Sequence, residues 1–227
     1  MRDRFKLAQH ILPWTLCFTF LTPAPVVAET DTTKMLAALE ARVDLAHSSE
    51  ENRKKIIEQG RDKAFFCANC HGQDGNSSKP DVPNLAGQNP VYLLQQINYF
   101  ALSERQDYTT VMQQLASQLS DDEKLALAVY YANAAVKPYR QKTNPALLSK
   151  GKRLYQNRCT SCHGEDGVGQ KGFARIAGQK INYIKRVLLD FRDNDRNRIS
   201  PVMSGMVEGF SETDIAALAN YIGQLSQ

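Results

Sequence analysis

A five-residue pattern that occurs twice constrains this chain more than any other feature of its sequence. The chain has 227 residues and five cysteines, and four of the cysteines form two closely spaced pairs, each followed directly by a histidine. The two stretches are Cys67-Ala-Asn-Cys70-His71 and Cys159-Thr-Ser-Cys162-His163. Any fold of this chain must therefore bring two thiols and an imidazole together at two separate places.

The pattern belongs to a longer internal repeat. Leu85-Ala-Gly-Gln88 matches Ile176-Ala-Gly-Gln179, and further residues match at the same offset. The matched pairs are Tyr92 and Tyr183, Phe100 and Phe191, Arg105 and Arg196, Met112 and Met203, Ser120 and Ser211, and Tyr130 and Tyr221. So many matches at one offset predict two copies of a single domain.

Each copy has helical signals and lacks the alternation of strands. Asn89-Pro90 predicts a capped helix start, because proline is favoured at the first helical position. Ser120 with Glu123, and Ser211 with Asp214, have the spacing of capping boxes before apolar stripes. We therefore predict an all-α fold with two tandem copies of one helical domain, preceded by an N-terminal helical extension. The predicted division is 1–28 signal peptide, 29–59 extension, 60–137 domain 1, 138–144 linker and 145–227 domain 2.

The first 28 residues have the features of a secretory signal. A basic start precedes the short apolar stretch 11–21, and small residues precede Ala28, after which we place the cleavage. The alternative is an uncleaved anchor, which three prolines and the short apolar run disfavour. The extension 29–59 predicts one helix, from the spacing of Met35, Leu36, Leu39 and Val43, plus a flexible segment. A partner-docking role for this helix stays open.

The paired cysteines and their histidines have the haem attachment pattern C-x-x-C-H. In such a site both thiols bond the haem covalently and the histidine is an axial ligand of the iron. This chemistry assigns Cys67, Cys70, Cys159 and Cys162 to attachment and His71 and His163 to the iron. A zinc site or a thioredoxin-like pair are the alternatives. The 88 residues between the pairs and the missing βαβ context disfavour both.

The second axial ligand follows by elimination. Of the four histidines, one lies in the signal, two are used in the motifs, and His47 lies outside the repeat. Among five methionines only Met112 and Met203 correspond between the copies, and a thioether suits haem iron. Met206 competes with Met203, because it lies one turn further along.

The histidine ligands also need a partner for their second ring nitrogen. We expect the backbone carbonyl of Pro83 in the first copy and of Ala174 in the second. Arg105 and Arg196 precede the methionines and are candidates for pairing with haem propionates. Plain surface arginines are the equal alternative.

The two copies differ in net charge. Residues 29–142 contain 13 basic and 15 acidic side chains, whereas residues 143–227 contain 12 basic and 8 acidic ones. This asymmetry either orients the molecule against a charged redox partner or is ordinary solvated surface. No basic run with interleaved aromatic residues indicates nucleic-acid binding.

With these motifs in order, the sequence resembles the dihaem cytochrome c4 family of the bacterial periplasm. The features that support this resemblance are CANCHG, CTSCHG, Pro-Asn-Leu-Ala-Gly-Gln at 83–88, Ile-Ala-Gly-Gln at 176–179, and the methionines before LSDDE and FSETD. The resemblance covers about residues 59–227 and departs at Ala174 and at the segment 29–59. It implies two tandem cytochrome c-like haem domains related by pseudo-twofold symmetry, each with a covalently bound haem c group. It also implies electron transfer from a cytochrome bc-type, quinol-oxidising complex toward a terminal oxidase or reductase.

The predicted function is therefore a periplasmic electron carrier of a respiratory chain, not an enzyme. Histidine and methionine fill both axial positions, which leaves no open iron site for a substrate. The alternatives are a haem-bearing subunit of a periplasmic dehydrogenase, a dihaem peroxidase, or a gas or redox sensor. A peroxidase needs acid–base residues near an open iron, and only His47 is spare. The sequence leaves peripheral membrane association open.

Overall fold

A computed structural model describes residues 31–169, 172–195, 197–198 and 200–225. Within these ranges every regular element is a helix, so the all-α prediction is confirmed for this part of the chain. The predicted signal peptide 1–28 and Arg196 lie outside the described residues. No helix in the described ranges is long and apolar enough to cross a membrane.

The helices follow the order of the internal repeat. The N-terminal part contains α1 (Asp31–Ala46), α2 (Glu50–Lys63), α3 (Phe65–His71), α4 (Pro90–Ala101), α5 (Val111–Ser117) and α6 (Asp121–Ala132). The C-terminal part contains α7 (Pro145–Arg158), α8 (Thr160–His163), α9 (Ile181–Arg192), α10 (Pro201–Val207) and α11 (Glu212–Gln224). From α2 to α6 and from α7 to α11 the succession of elements is the same.

Helix α2 corrects the predicted N-terminal boundary. It packs against α6 as α7 packs against α11, so the domain start expected at residue 60 falls inside a helix of the repeat. A Cβ on Gly60 would lie 2.1 Å from the Ala126 carbonyl oxygen, and one on Gly151 would lie 2.2 Å from that of Ala217. Residues 50–59 are therefore helical and not a flexible segment. Their polar composition hides this helix, which depends on its Ser49 cap and on packing.

Helix α1 is the predicted extra helix, and its apolar face is already covered. Leu39, Val43 and Ala46 are buried, and α1 packs against α4 and α6. Arg42 also donates a 2.8 Å hydrogen bond to the Asp121 carbonyl at the start of α6. The amphipathic pattern therefore reflects docking within the chain, which removes the reason for assigning this face to a partner.

The predicted helix starts are confirmed in detail. The Asn89 side chain accepts a hydrogen bond from the Tyr92 amide before Pro90 opens α4. Both capping boxes form, Ser120 with Glu123 and Ser211 with Asp214. Such caps satisfy amide donors that have no partner within the helix.

Two separate hydrophobic cores match the two copies. One contains Leu94, Leu127 and Tyr131, and the other contains Tyr155, Ile215 and Leu218. No helix spans the predicted linker 138–144, which connects α6 to α7. The first cysteine of each motif, Cys67 or Cys159, packs against the edge of the core of its own copy.

Candidate functional site

The four motif cysteines lie on or beside the short helices at each site, and none of them is paired in a disulfide. Cys67 and Cys70 lie one turn apart in α3, and Cys159 and Cys162 flank the start of α8. Burial raises the pKa of the Cys67 thiol and raises that of Cys159 to about 11. A thioredoxin-like site instead contains a thiol whose pKa is lowered, so the raised pKa values of Cys67 and Cys159 disfavour that alternative. In the described ranges no three His, Cys, Asp or Glu side chains form a cluster that could hold a metal ion.

Both motif histidines are buried and held by backbone carbonyls. His71 Nδ1 lies 2.9 Å from the Pro83 oxygen, and His163 Nδ1 lies 2.8 Å from the Ala174 oxygen. A carbonyl only accepts, so Nδ1 carries the proton and the Nε2 lone pair faces away, available to a metal. Desolvation lowers the pKa of both rings and keeps them neutral, the form that binds iron. The two predicted carbonyl partners are confirmed.

A glycine after each histidine turns the chain back to form these contacts. Gly72 adopts a φ of 80°, and a Cβ there would lie 2.5 Å from the Asn76 carbonyl oxygen. The returning loop is tied down when the Leu85 amide donates to the Gly75 carbonyl over 2.7 Å. The same bond, from Ile176 to Gly167, recurs at 2.7 Å in the second copy. The sequence therefore fixes each acceptor carbonyl through local turn geometry.

The candidate methionines lie on equivalent short helices. Met112 is in α5 and Met203 is in α10, and both side chains are half-buried. Met203 packs against the C-terminal core, whereas Met206 is 40% exposed. This placement favours Met203 over Met206, and ligation by Met112 and Met203 stays a prediction.

Arg105 and Arg198 form a largely buried cluster, and neither makes a salt bridge with another described residue. Arg105 donates to Gln96 Oε1 over 2.6 Å, stacks 4.2 Å from the Phe100 ring centre, and leaves its buried Nε without a partner there. Arg198 donates to Tyr183 and to the same Gln96 oxygen. Burial and the nearby Arg198 charge lower the pKa of Arg105 to about 10.

This cluster fits an anionic group, and the pairing of Arg105 with a haem propionate stays a prediction. Arg105 is not a plain surface arginine, because its guanidinium is buried between the two copies. Sequence reasoning missed Arg198, since the repeat offset pairs Arg105 with Arg196, two residues earlier. Haem carries propionates that would supply the missing negative charge. Paired cysteines, buried imidazoles and half-buried thioethers complete a set that fits haem c and defines the class of c-type cytochromes.

Comparison with known proteins identifies the family of c-type cytochromes to which this chain belongs. The family model "Cytochrome c" matches residues 148–226. Cytochrome c4 of Pseudomonas aeruginosa is 34% identical over 177 residues, which cover 72% of this chain and 85% of that protein. A crystal structure of reduced recombinant cytochrome c4 from Pseudomonas stutzeri aligns with a TM-score of 0.68 and 32% identity, over 75% of this chain and 98% of that one. The chain belongs to the cytochrome c4 family.

Membership of this family confirms the predicted fold, cofactor and general role. The chain is a dihaem c-type cytochrome with two covalently bound haem c groups, and it carries electrons. A further relative, the "Thiosulfate dehydrogenase electron acceptor" of Thiomonas intermedia, is 32% identical over 147 residues, 60% of this chain and 66% of that protein.

Proposed function

We propose that this protein is a periplasmic shuttle that carries electrons from a quinol-oxidising, cytochrome bc-type complex to a terminal oxidase or reductase. The assignment of residues is that of the sequence: attachment by Cys67, Cys70, Cys159 and Cys162, and axial ligation by His71, Met112, His163 and Met203. The supporting observation is the pair of buried imidazoles whose Nδ1–carbonyl bonds leave each Nε2 free for iron.

The chain's own residues explain why such a site transfers electrons and does little else. Bound haem supplies a one-electron couple. The histidine would hold the iron through a ring of fixed orientation, and the methionine thioether would favour the reduced state of the haem. The cysteine bonds prevent loss of the group after export. The buried guanidiniums of Arg105 and Arg198 offset the negative charge of propionates between the copies.

The periplasmic location rests on the sequence of the first 28 residues. Their basic start, short apolar stretch and small residues before Ala28 are those of a cleaved signal. N-terminal sequencing of the exported protein should begin at Glu29. A mature chain that starts at Met1 contradicts this part of the proposal.

The second candidate is a haem-bearing electron acceptor of a periplasmic dehydrogenase. The Thiomonas intermedia relative favours it, because its name describes an electron acceptor of thiosulfate dehydrogenase. The two roles differ in the electron donor. Stopped-flow reduction of the purified protein by a quinol-oxidising complex, compared with reduction by a thiosulfate dehydrogenase and thiosulfate, separates them.

The ligand assignment is tested by Met112→Ala and Met203→Ala, with Met206→Ala as the matched control. Each of the first two substitutions should remove the sulfur–iron absorption band of one haem and lower its midpoint potential, because methionine ligation raises the potential. Met206→Ala should leave the spectrum unchanged. Intact mass of each variant should show two haems. A spectrum altered by Met206→Ala and not by Met203→Ala overturns the assignment in the second copy.

A further inference from the structure

We infer that Gln88 and Gln179 are crossed positioning residues, each of which sets the haem potential of the opposite copy through the hydrogen bond of that copy's histidine ligand. This inference rests on the proposed ligation by His71 and His163. It concerns side chains that neither bind the haem nor belong to the cysteine motifs.

In the first copy a hydrogen-bond chain begins at the histidine and ends on the other copy. His71 Nδ1 donates to the Pro83 carbonyl over 2.9 Å. The amide of the same peptide unit, Asn84 N–H, donates to Gln179 Oε1 over 2.9 Å. Gln179 Nε2 donates in turn to the Asn84 carbonyl over 3.0 Å. The glutamine amide thus binds both backbone groups of Asn84.

The second copy has the same arrangement with the partners exchanged. His163 Nδ1 donates to the Ala174 carbonyl over 2.8 Å. The next amide, Arg175 N–H, donates to Gln88 Oε1 over 2.6 Å, and Gln88 Nε2 donates to the Arg175 carbonyl over 2.7 Å. Gln88 and Gln179 are equivalent in the repeat, so the pseudo-twofold relation between the copies generates both chains.

A planar peptide couples the two ends of each chain. Because resonance links the carbonyl and the N–H of one peptide unit, a bond accepted from the N–H polarises the carbonyl and strengthens it as an acceptor. Gln179 therefore strengthens the bond from His71, and Gln88 strengthens the bond from His163. Both glutamines are buried, at 7% exposure for Gln88 and 6% for Gln179, so water does not compete for these bonds.

The effect on the iron has a defined sign. A stronger acceptor at Nδ1–H makes the imidazole more basic, and a more basic ligand stabilises the oxidised iron. Loss of the glutamine therefore weakens the bond to Nδ1 and raises the potential of the haem in the other copy. The glutamine's own copy keeps its chain, because that chain ends on the other glutamine.

The experiment uses the full-length holoprotein and the variants Gln179→Met and Gln88→Met, which keep side-chain length and lose the amide. The midpoint potential of each haem is followed by NMR during a redox titration, with His71 and His163 ring signals to identify the haems. Gln179→Met should raise the midpoint potential of the haem on Cys67 and Cys70 by ~28 mV. This shift corresponds to a change of about threefold in the one-electron equilibrium constant. Gln88→Met should do the same for the haem on Cys159 and Cys162.

Tyr108→Phe is the matched control, because it removes a 2.7 Å hydrogen bond between the copies, from Tyr108 to Asp190, that touches neither chain. It should leave both potentials in place. Gln179→Glu retains an acceptor for the Asn84 amide and adds negative charge, so the first potential should shift downward, opposite to Gln179→Met. If the methionine variant fails to fold, Gln179→Glu still tests whether residue 179 changes the potential of the haem in the other copy.

The inference is overturned by a shift confined to the glutamine's own copy, by equal shifts of both haems in either methionine variant, or by an equal shift in Tyr108→Phe. An unchanged Nδ1–H resonance of His71 in reduced Gln179→Met also overturns it. Intact mass separates this failure from that of the proposed function. Two haems with no crossed shift refute the crossed role alone, whereas missing haem in the unsubstituted protein refutes the ligation on which it depends.

Discussion

At the scale of single residues, Lys180 shows how far the junction between the copies departs from an ordinary surface. The residue is fully buried, its Nζ donates to the Ser77 carbonyl, and the same atom lies 2.9 Å from the ring centre of Tyr139. Desolvation lowers the pKa of this amine to about 8. The folded protein therefore holds this lysine in its charged form at a cost below that pH.

This lowered pKa predicts a specific dependence of stability on pH. Between about 8, the pKa in the folded protein, and about 10.4, that of an unfolded lysine, the unfolded chain binds more protons, so stability rises with pH. Lys180→Met removes this contribution, which has a limiting slope of about 1.4 kcal/mol per pH unit. Urea unfolding at pH 7 to 10.5 measures it, and identical slopes in both proteins contradict the assignment.

The same scale shows what the sequence could predict. The cysteines, the histidines and the carbonyls of Pro83 and Ala174 follow from local spacing, and the structure places both carbonyls on their histidines. Lys180 and Arg198 could not be predicted, because their partners lie on other elements, up to 106 positions away in the sequence. Contacts of this kind depend on how the copies pack, and periodicity within one copy does not contain that information.

At the scale of elements, the pairs α2–α6 and α7–α11 depend on a glycine at each crossing. Sequence periodicity located α4 and α6 correctly, since their buried faces are apolar, but it missed α2, which is rich in charged side chains. The helix forms because Gly60 lets its backbone approach α6 closely enough for tertiary packing to stabilise a polar sequence.

Gly60→Ala should therefore destabilise the protein although alanine favours helices. The added Cβ would lie 2.1 Å from the Ala126 carbonyl oxygen and 2.5 Å from the Tyr130 Cβ, so one helix must shift. We expect a loss of about 2 kcal/mol in the free energy of unfolding, after the gain of up to ~1 kcal/mol from helix propensity. Gln59→Ala, at an exposed neighbouring position, is the control and should change stability by less than ~0.5 kcal/mol.

Helix α1 gives a second prediction at this scale. Leu39 is 5% exposed and packs in the N-terminal core, so Leu39→Ala should cost about 2–4 kcal/mol and release α1 from α4. Hydrogen exchange of the α1 amides measures this release. Leu45→Ala, at a position 69% exposed in the same helix, should leave the exchange of α1 unchanged. Equal exchange in both variants contradicts the docking of α1.

At the scale of the whole molecule, two hydrophobic cores meet across a mainly polar junction. The hydrogen bonds that cross it include those from Gln88, Gln179, Lys180, Arg186, Arg198 and Tyr108. Neither core cluster contains residues of both copies. Polar junctions of this kind hold domains together without merging their unfolding.

Calorimetry should therefore resolve two unfolding transitions. Gly60→Ala should lower the midpoint of one by about 10 °C, and Gly151→Ala, which places a Cβ 2.2 Å from the Ala217 carbonyl oxygen, should lower the other. The two substitutions are each other's control. A single transition that moves equally in both variants contradicts independent cores.

The exchange of glutamine contacts across the junction limits how this molecule can be divided. Separate expression of one copy would preserve its cysteines, its histidine and its carbonyl, but the amide that closes the hydrogen-bond chain belongs to the sibling copy. One copy expressed alone would therefore lack a hydrogen bond that its histidine site has in the complete protein. A substitution in one copy can then change the haem potential of the other copy, so the two copies are expected to change in a correlated way during evolution.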